Sequence, residues 1–188
     1  MATATHSSTS KSSSSRKSAS SKSRSTGKKT ASSRQKDAIQ LLKADHREVE
    51  KLFRDFQKAS GEERKMQLAR KICMELMVHT QIEEELVYPI SREFLKDDEI
   101  VNEAVVEHQA AKDLIEQIQG MDASDEMFDA KMQVLQEQIE HHVEEEEKEY
   151  FPKIQKTDMD LKGIGQQLMQ RKQELTAQME GDGGLEMH

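Results

Sequence analysis

The chain has 188 residues, 34% of them charged, a formal net charge of -8, no tryptophan, two prolines and one cysteine, Cys73. That length suits a single domain with a sizeable core; the lone cysteine excludes an intramolecular disulfide and fits a reducing, cytoplasmic compartment. No run of about eighteen apolar residues offers a membrane span, and no apolar segment follows the N-terminus to serve as a secretion signal. Scarce Gly and Pro amid abundant charge favour an all-α protein with salt-bridged outer faces.

The charge is segregated. Residues 1–36 hold nine of the 28 basic residues and no acidic one, so the remainder is strongly acidic. This Ser, Lys and Arg tail has too little apolar surface to offset the entropy of ordering and is expected to be disordered. It lacks the apolar face of a transit peptide. As a polycation it suits non-specific, salt-sensitive contact with nucleic acid or another anionic surface, without sequence readout.

The first predicted helix runs from near Asp37 to Ala59, with Ile39, Leu42, His46, Val49, Phe53 and Phe56 on one stripe. Ser60 and Glu63 form a capping-box signal for a second helix. Its stripe of Leu68, Ile72, Leu76, Leu86 and Ile90 contains His79 and Glu83, and Pro89 is expected to end or kink it. Cys73 falls about 120° from His79, which predicts a small surface or second-layer residue and not a ligand. A short helical turn at 91–95 follows. Asp97 and Asp98 can cap a third helix carrying Val101, Ala104, Val105, His108, Ala111, Ile115 and Ile118, with Gly120 as its stop. The fourth is expected from Ser124, with Phe128, Met132, Leu135 and Ile139 leading into His142, Glu146 and Tyr150. A fifth, from about Asp158 to Met179, shows Leu161, Ile164, Leu168, Leu175 and Met179 on one side, for the bundle end or a partner subunit. The expected organisation is a tail over 1–36, an up-down-up-down four-helix bundle over 37–155, a C-terminal helix over 156–180 and a fraying end over 181–188.

One phrase occurs twice: His79 with Glu83 and Glu84 four and five residues on, Tyr88 at plus nine and Pro89 at plus ten, and again His142, Glu146, Glu147, Phe151 and Pro152. Residues four apart share a helix face, so each copy aims an imidazole and a carboxylate at one spot within an apolar stripe. Carboxylates buried there need a cation or a partner. Asp45-His46 recurs as Glu107-His108, giving two similar hairpins about sixty-two residues apart. Four histidines and two glutamates, without thiolate, converge inside the bundle, a donor set for iron, manganese or zinc and enough for two ions. His6 and His188 lie in segments expected to be disordered, and His141 falls about 100° off the stripe of His142. The residues three before His79, His108 and His142 are Leu76, Val105 and Ile139, so the Glu-x-x-His arrangement of ferritin-like bundles is absent.

In this ordered series, His46 in Asp-His-Arg-Glu-Val-Glu-Lys-Leu-Phe, His79-x-x-x-Glu83, His108 in Glu-His-Gln-Ala-Ala-Lys-Asp-Leu-Ile and His142-x-x-x-Glu146, the chain resembles the hemerythrin HHE cation-binding domain. The resemblance implies a bridged di-iron centre, with the first two helices leaning toward one iron, the next two toward the other, and Glu83 and Glu146 bridging. Two departures stand out. Lys112 occupies the position where oxygen-carrying hemerythrins place a second helix-3 histidine, and His142-x-x-x-Glu146 replaces their closing His-x-x-x-x-Asp. One iron is then left with an open position or a substitute ligand, Glu50 or, less readily, Tyr150. The leading expectation is a module that binds or senses O2, iron, nitric oxide or peroxide; the alternatives are a peroxide- or nitric-oxide-consuming enzyme and a metal-free scaffold acting through its tail.

Overall fold

The computed structural model describes residues 36–96 and 98–182. The expectations for the tail, for the Asp97 cap and for the end beyond Asp182 therefore lie outside the described residues, apart from Lys36 itself. Among the described residues seven α-helices occur in order: α1 (Ala38–Lys58), α2 (Glu62–Ile82), α3 (Tyr88–Phe94), α4 (Glu99–Gln119), α5 (Phe128–Glu145), α6 (Phe151–Ile154) and α7 (Leu161–Asp182). Glu83–Val87 joins α2 to α3, and Glu146–Tyr150 joins α5 to α6, each as one π-helical turn.

Helix α1 opens with the reciprocal cap that its sequence invites: Gln40 N–H donates to the Asp37 carboxylate, and the Asp37 N–H donates to the Gln40 side chain. The expected Ser60 box does not form. Gly61, at φ 87°, is the N-cap of α2 and offers no side-chain bond, because the reversal after α1 needs a left-handed residue there. Asp98 likewise precedes α4 without a side-chain cap. Helix α5 starts at Phe128, four residues later than expected, since residues 124–127 remain in turns tied by Phe128 N–H donating to the Asp125 carbonyl.

Two apolar clusters flank a polar layer. One gathers Leu42, Ile82, Val101, Phe151 and Ile154; the other gathers Val49, Leu76, Ile115, Phe128 and Leu135. Chain direction is set by the order of these side chains: α1 and α4 pass from the first cluster to the second, and α2 and α5 return, which is the up-down-up-down bundle. Along each helix a histidine falls at the crossing, with Leu42 before and Val49 after His46, and Leu76 before and Ile82 after His79. Cys73 is buried in the second cluster rather than at the surface, and burial pushes its thiol up to about 12. Its reaction with an aromatic disulfide reagent at pH 8 is expected to track global unfolding, with rapid labelling only in denaturant.

The π turns change the register. A proline cannot donate to the carbonyl four residues back and its ring crowds that carbonyl; widening the preceding turn relieves both. In the first copy, the Tyr88 N–H reaches the Glu83 carbonyl, five residues back. The extra residue rotates the succeeding side chains about the helix axis, so Val87 and Tyr88 are buried while Leu86 and Ile90, expected on the inner stripe, are only half-buried. Pro89 thus neither ends nor breaks the helical run. Val105, also expected inside, is 38% exposed.

Helix α7 begins and ends about three residues later than its expected bounds. It lies along α1 and α2, burying Ile164, Leu168 and Leu175. Its apolar stripe thus covers the side of the first hairpin of this chain. Gly165 permits the approach: a Cβ there would stand 2.8 Å from the Lys36 carbonyl oxygen and 2.9 Å from the Ala38 nitrogen, both backbone atoms. Gly165→Ala is expected to destabilise the fold by about 1–3 kcal/mol despite the helix propensity of alanine, read as a lower denaturant midpoint. Among the described residues no helix is long and apolar enough to cross a membrane.

Candidate metal centre

The polar layer brings His46 from α1, His79 from α2, His108 from α4, His142 from α5, and Glu83 and Glu146 from the first residue of each π turn, all buried. His46 and His79 place their Nε2 atoms 3.3 Å apart, and His108 and His142 place theirs 3.1 Å apart. Glu83 Oε2 lies between the pairs, 3.2 Å from His79 Nε2 and 3.5 Å from His108 Nε2. Glu146 Oε2 is 3.3 Å from His46 Nε2 and 3.7 Å from His142 Nε2. The atoms form two groups that could each hold an ion, His46, His79, Glu83 and Glu146 in one and Glu83, His108 and His142 in the other, with Glu83 common to both.

Each imidazole turns Nε2 inward and its Nδ1 toward an outer carboxylate. His46 Nδ1 donates to Glu147 at 3.0 Å, His108 Nδ1 to Glu84 at 3.0 Å and His142 Nδ1 to Glu107 at 2.8 Å. His79 Nδ1 faces Asp45 at 3.8 Å. A carboxylate behind an imidazole fixes its tautomer and leaves Nε2 free to bind a cation. These four acids obey the internal repeat: Asp45 and Glu107 precede the lone histidines, while Glu84 and Glu147 come directly after the inner glutamates. Basic side chains back three of them, Lys112 on Glu84 at 2.7 Å, Arg47 on Glu147 at 2.7 Å and Lys172 on Asp45 at 2.9 Å. Lys112, at the position of the second histidine of oxygen carriers, therefore orients His108 indirectly.

Glu50 is not brought to the cluster. It is 32% exposed on α1 and paired with Arg47 and Arg54, because its position points outward from the stripe. Tyr150 is buried beside the site, but its hydroxyl donates to Ser91 Oγ at 2.9 Å. The phenol that reaches the cluster is Tyr88, donating to Glu146 Oε1 at 3.2 Å and lying 3.3 Å from His108 Nε2. Sequence reasoning passed over it, although its place in the repeated phrase held the signal. Its counterpart in the second copy is Phe151, which stacks on His46 with ring centres 5.8 Å apart, as Tyr88 stacks on His108 at 5.5 Å. At this pair of positions the halves match in shape and differ by one hydroxyl. His141 is 64% exposed and faces Glu107 and Glu145.

Charge at the centre is poorly compensated by protein alone. Both oxygens of Glu83, Glu146 Oε2 and His79 Nδ1 are buried without a hydrogen-bond partner. Burial and the adjacent Glu146 push Glu83 well above the usual carboxylate range, whereas the imidazoles of His142 and His46 outweigh burial at Glu146 and hold it low. Burial lowers His79 to about 4 and also lowers His108, so both are unprotonated near neutrality. Unprotonated imidazoles at His79 and His108 and close, unpaired carboxylate oxygens are what a buried cation site requires and what a metal-free core avoids. At His142 burial is outweighed by Glu146 and Glu107, which raise its pKa, so an ion held there would displace a proton. The donor set fits first-row transition ions.

Bundle and centre together define a helical cation-binding protein with histidine and glutamate donors. The hemerythrin HHE cation-binding domain matches residues 37–154, and the chain belongs to that family. It is 29% identical over 114 residues to a DNA nickase of Nostoc sp., covering 61% of this chain and 32% of that protein. It is 26% identical over 114 residues to an uncharacterized hemerythrin-like protein of Schizosaccharomyces pombe, covering 60% of this chain and 56% of the relative. The matches thus span about a third and about half of these relatives' own lengths. Among solved structures, a hemerythrin HHE cation binding domain-containing protein from Mycobacterium kansasii superposes with a TM-score of 0.67 at 22% identity, over 79% of this chain and 94% of that one, a likeness of fold.

Proposed function

We propose that the bundle holds two iron ions and binds or senses a small ligand such as O2, nitric oxide or peroxide, or iron itself. The observation that carries this reading is Glu83: fully buried, both oxygens unpartnered, and within 3.5 Å of an imidazole from each half. His46 and His79 would hold one ion and His108 and His142 the other, with Glu83 and Glu146 shared. When bound, such a pair supplies electrons and Lewis acidity to a diatomic or peroxide ligand. The chain supplies the rest. Asp45, Glu84, Glu107 and Glu147 orient the imidazoles, and the two apolar clusters exclude bulk water. Tyr88, whose phenol burial pushes well above its usual range, holds its proton on Oη toward Glu146.

Access fits a small ligand. A crevice of about 330 Å³ between α1 and α5 is lined by Val49, Phe53, Ile139 and Val143 and reaches His46. Behind it an inner space of about 10 Å³ touches His79 and His142 and is bordered again by Val49, Ile139 and Val143. The apolar floor of the crevice is rimmed by charged side chains, Arg47, Glu50, Glu140, Glu144, Glu147 and Lys148.

Metal analysis with an optical spectrum tests the reading. Aerobically purified full chain is expected to contain about two irons per chain and to lose its iron-dependent near-ultraviolet and visible absorption on chelation. Colourless, iron-free protein would overturn it and favour the scaffold. Peroxide or nitric oxide loss at a rate proportional to iron loading would make the protein an enzyme. Residues 1–36 would hold nucleic acid or another anionic surface independently of the centre, and the outward face of the C-terminal helix, where Met169 is exposed, would hold a second subunit. Truncating residues 1–36 is expected to abolish salt-sensitive DNA retention and to leave iron content unchanged, checked by retention at two salt concentrations.

A further inference from the structure

Helix α7 lies beyond the residues matched by the family, yet two consecutive cations on it reach the layer behind the centre. Lys172 Nζ pairs with Asp45 Oδ1 at 2.9 Å and Glu75 Oε2 at 3.3 Å, while the other oxygen of Asp45 faces His79 Nδ1. Arg171 grips Glu85, in the π turn that begins with Glu83, through Nε at 2.6 Å and Nη2 at 3.0 Å. One pair thus fixes the acid behind His79, and the other fixes the turn that presents Glu83. Lys112 backs Glu84 in the second half as Arg47 backs Glu147 in the first, but among the described residues no cation from another helix pairs with the second-half counterparts of Asp45 and Glu85. Its equivalent of Asp45, Glu107, faces the imidazoles of His142 and the largely exposed His141, with the Glu145 carboxylate within 4.8 Å, and among the described residues pairs with no Lys or Arg. Its equivalent of Glu85 is Lys148, paired with Glu144 one turn earlier.

We propose that α7 makes the two halves of the centre unequal in metal retention, with Lys172 as a positioning residue that acts through Asp45 on His79. The inference rests on the two-ion reading above. Asp45 and Glu75 are mostly shielded from water, 14% and 13% exposed, and share one ammonium. Without it the two carboxylates repel, Asp45 leaves its place 3.8 Å from His79 Nδ1, and the imidazole loses the carboxylate that faces that nitrogen. Loss of an outer partner of a ligating histidine typically weakens metal binding by about 10–100-fold. The affected ion is the one held by α1 and α2.

The test is anaerobic release of iron from the loaded full chain into excess chromogenic ferrous chelator, alongside circular dichroism of the metal-free forms. Wild type is expected to release its two ions in two phases. Lys172→Met should speed one of them by about tenfold, and Lys172→Arg should restore it. Lys148→Met should change neither. His142→Ala and His79→Ala backgrounds assign the phases: Lys172→Met should speed loss of the remaining ion in the first background and leave it unchanged in the second. Asp45→Asn should speed the same phase, and adding Lys172→Met to it should have little further effect. Should Lys172→Met fail to fold, the Asp45→Asn and Lys148→Met comparisons decide alone. Equal acceleration of both phases, acceleration of neither, or acceleration only in the His79→Ala background overturns the inference and leaves the two-ion reading standing. Failure of wild type to take up two ions overturns both.

Discussion

Glu83→Leu is expected to abolish uptake of both ions and, in the metal-free state, to raise stability. Both imidazole pairs converge on this one carboxylate, so its loss removes an oxygen donor from each group at once. Metal content should fall from about two per chain to near none, a loss that no single histidine substitution should match. Stability moves the other way because Glu83 is completely buried and no hydrogen bond compensates either oxygen. A buried polar group that no hydrogen bond compensates carries a desolvation penalty of about 1–3 kcal/mol, which an apolar side chain of similar volume removes. The effect depends on pH. Burial and Glu146 raise the pKa of Glu83 in the folded state above its ordinary 4.5, so the native chain binds the extra proton and loses stability as pH rises through this range. The advantage of Glu83→Leu should therefore be small near pH 4.5 and grow toward neutrality. Denaturant unfolding in chelator at several pH values measures it, and iron analysis of the same samples measures the loss of binding. A variant that kept two ions, or was less stable than wild type in chelator at pH 7, would contradict the assignment of Glu83.

The second large effect belongs to Phe151. It is 1% exposed, lies parallel to the His46 ring at 9° and belongs to the cluster that holds Leu42 and Ile154. Phe151→Ala should cost about 3–5 kcal/mol, from the lost transfer of the ring and the cavity it leaves. For a domain with a total stability of about 5–15 kcal/mol, the metal-free variant would lose between about a fifth and all of it. Bound metal stabilises only the folded chain, and at a free concentration of about a thousand times its dissociation constant contributes about 4 kcal/mol. Thermal unfolding in chelator should show a larger fall in midpoint for Phe151→Ala than for Tyr88→Phe, since the latter removes one hydroxyl and leaves the ring packing intact.

Much of this was legible along the chain because the signal was periodic. His46, His79, His108 and His142 sit on apolar stripes of helical period, and a helix that buries its stripe carries those residues inward with it. The duplication made the pattern specific, since one such histidine has ordinary explanations and four at matching places do not. A fixed helical period does not carry across the π turns, because each inserts one residue and moves the next side chain inward. That period places Leu86 and Ile90 inside where Val87 and Tyr88 are buried, and points to Tyr150 where Tyr88 reaches the cluster. Glu50 was a reasonable substitute by spacing, but Arg47 and Arg54 on its own helix hold it at the surface.

The sequence by itself determined that the chain is helical, that two similar hairpins build it, and that an imidazole and carboxylate layer lies in its interior. Those properties depend on side-chain type and local period, which one strand of text contains. Only the tertiary structure decided which carboxylate stands behind which imidazole, that Tyr88 and Phe151 make the halves chemically unequal, and that α7 clamps one of them. Asp45 meets His79 and Glu107 meets His142 across helix pairs, and Lys172 reaches Asp45 from a helix far along the chain. Such pairings depend on how helices cross and rotate against one another, and no local period encodes that.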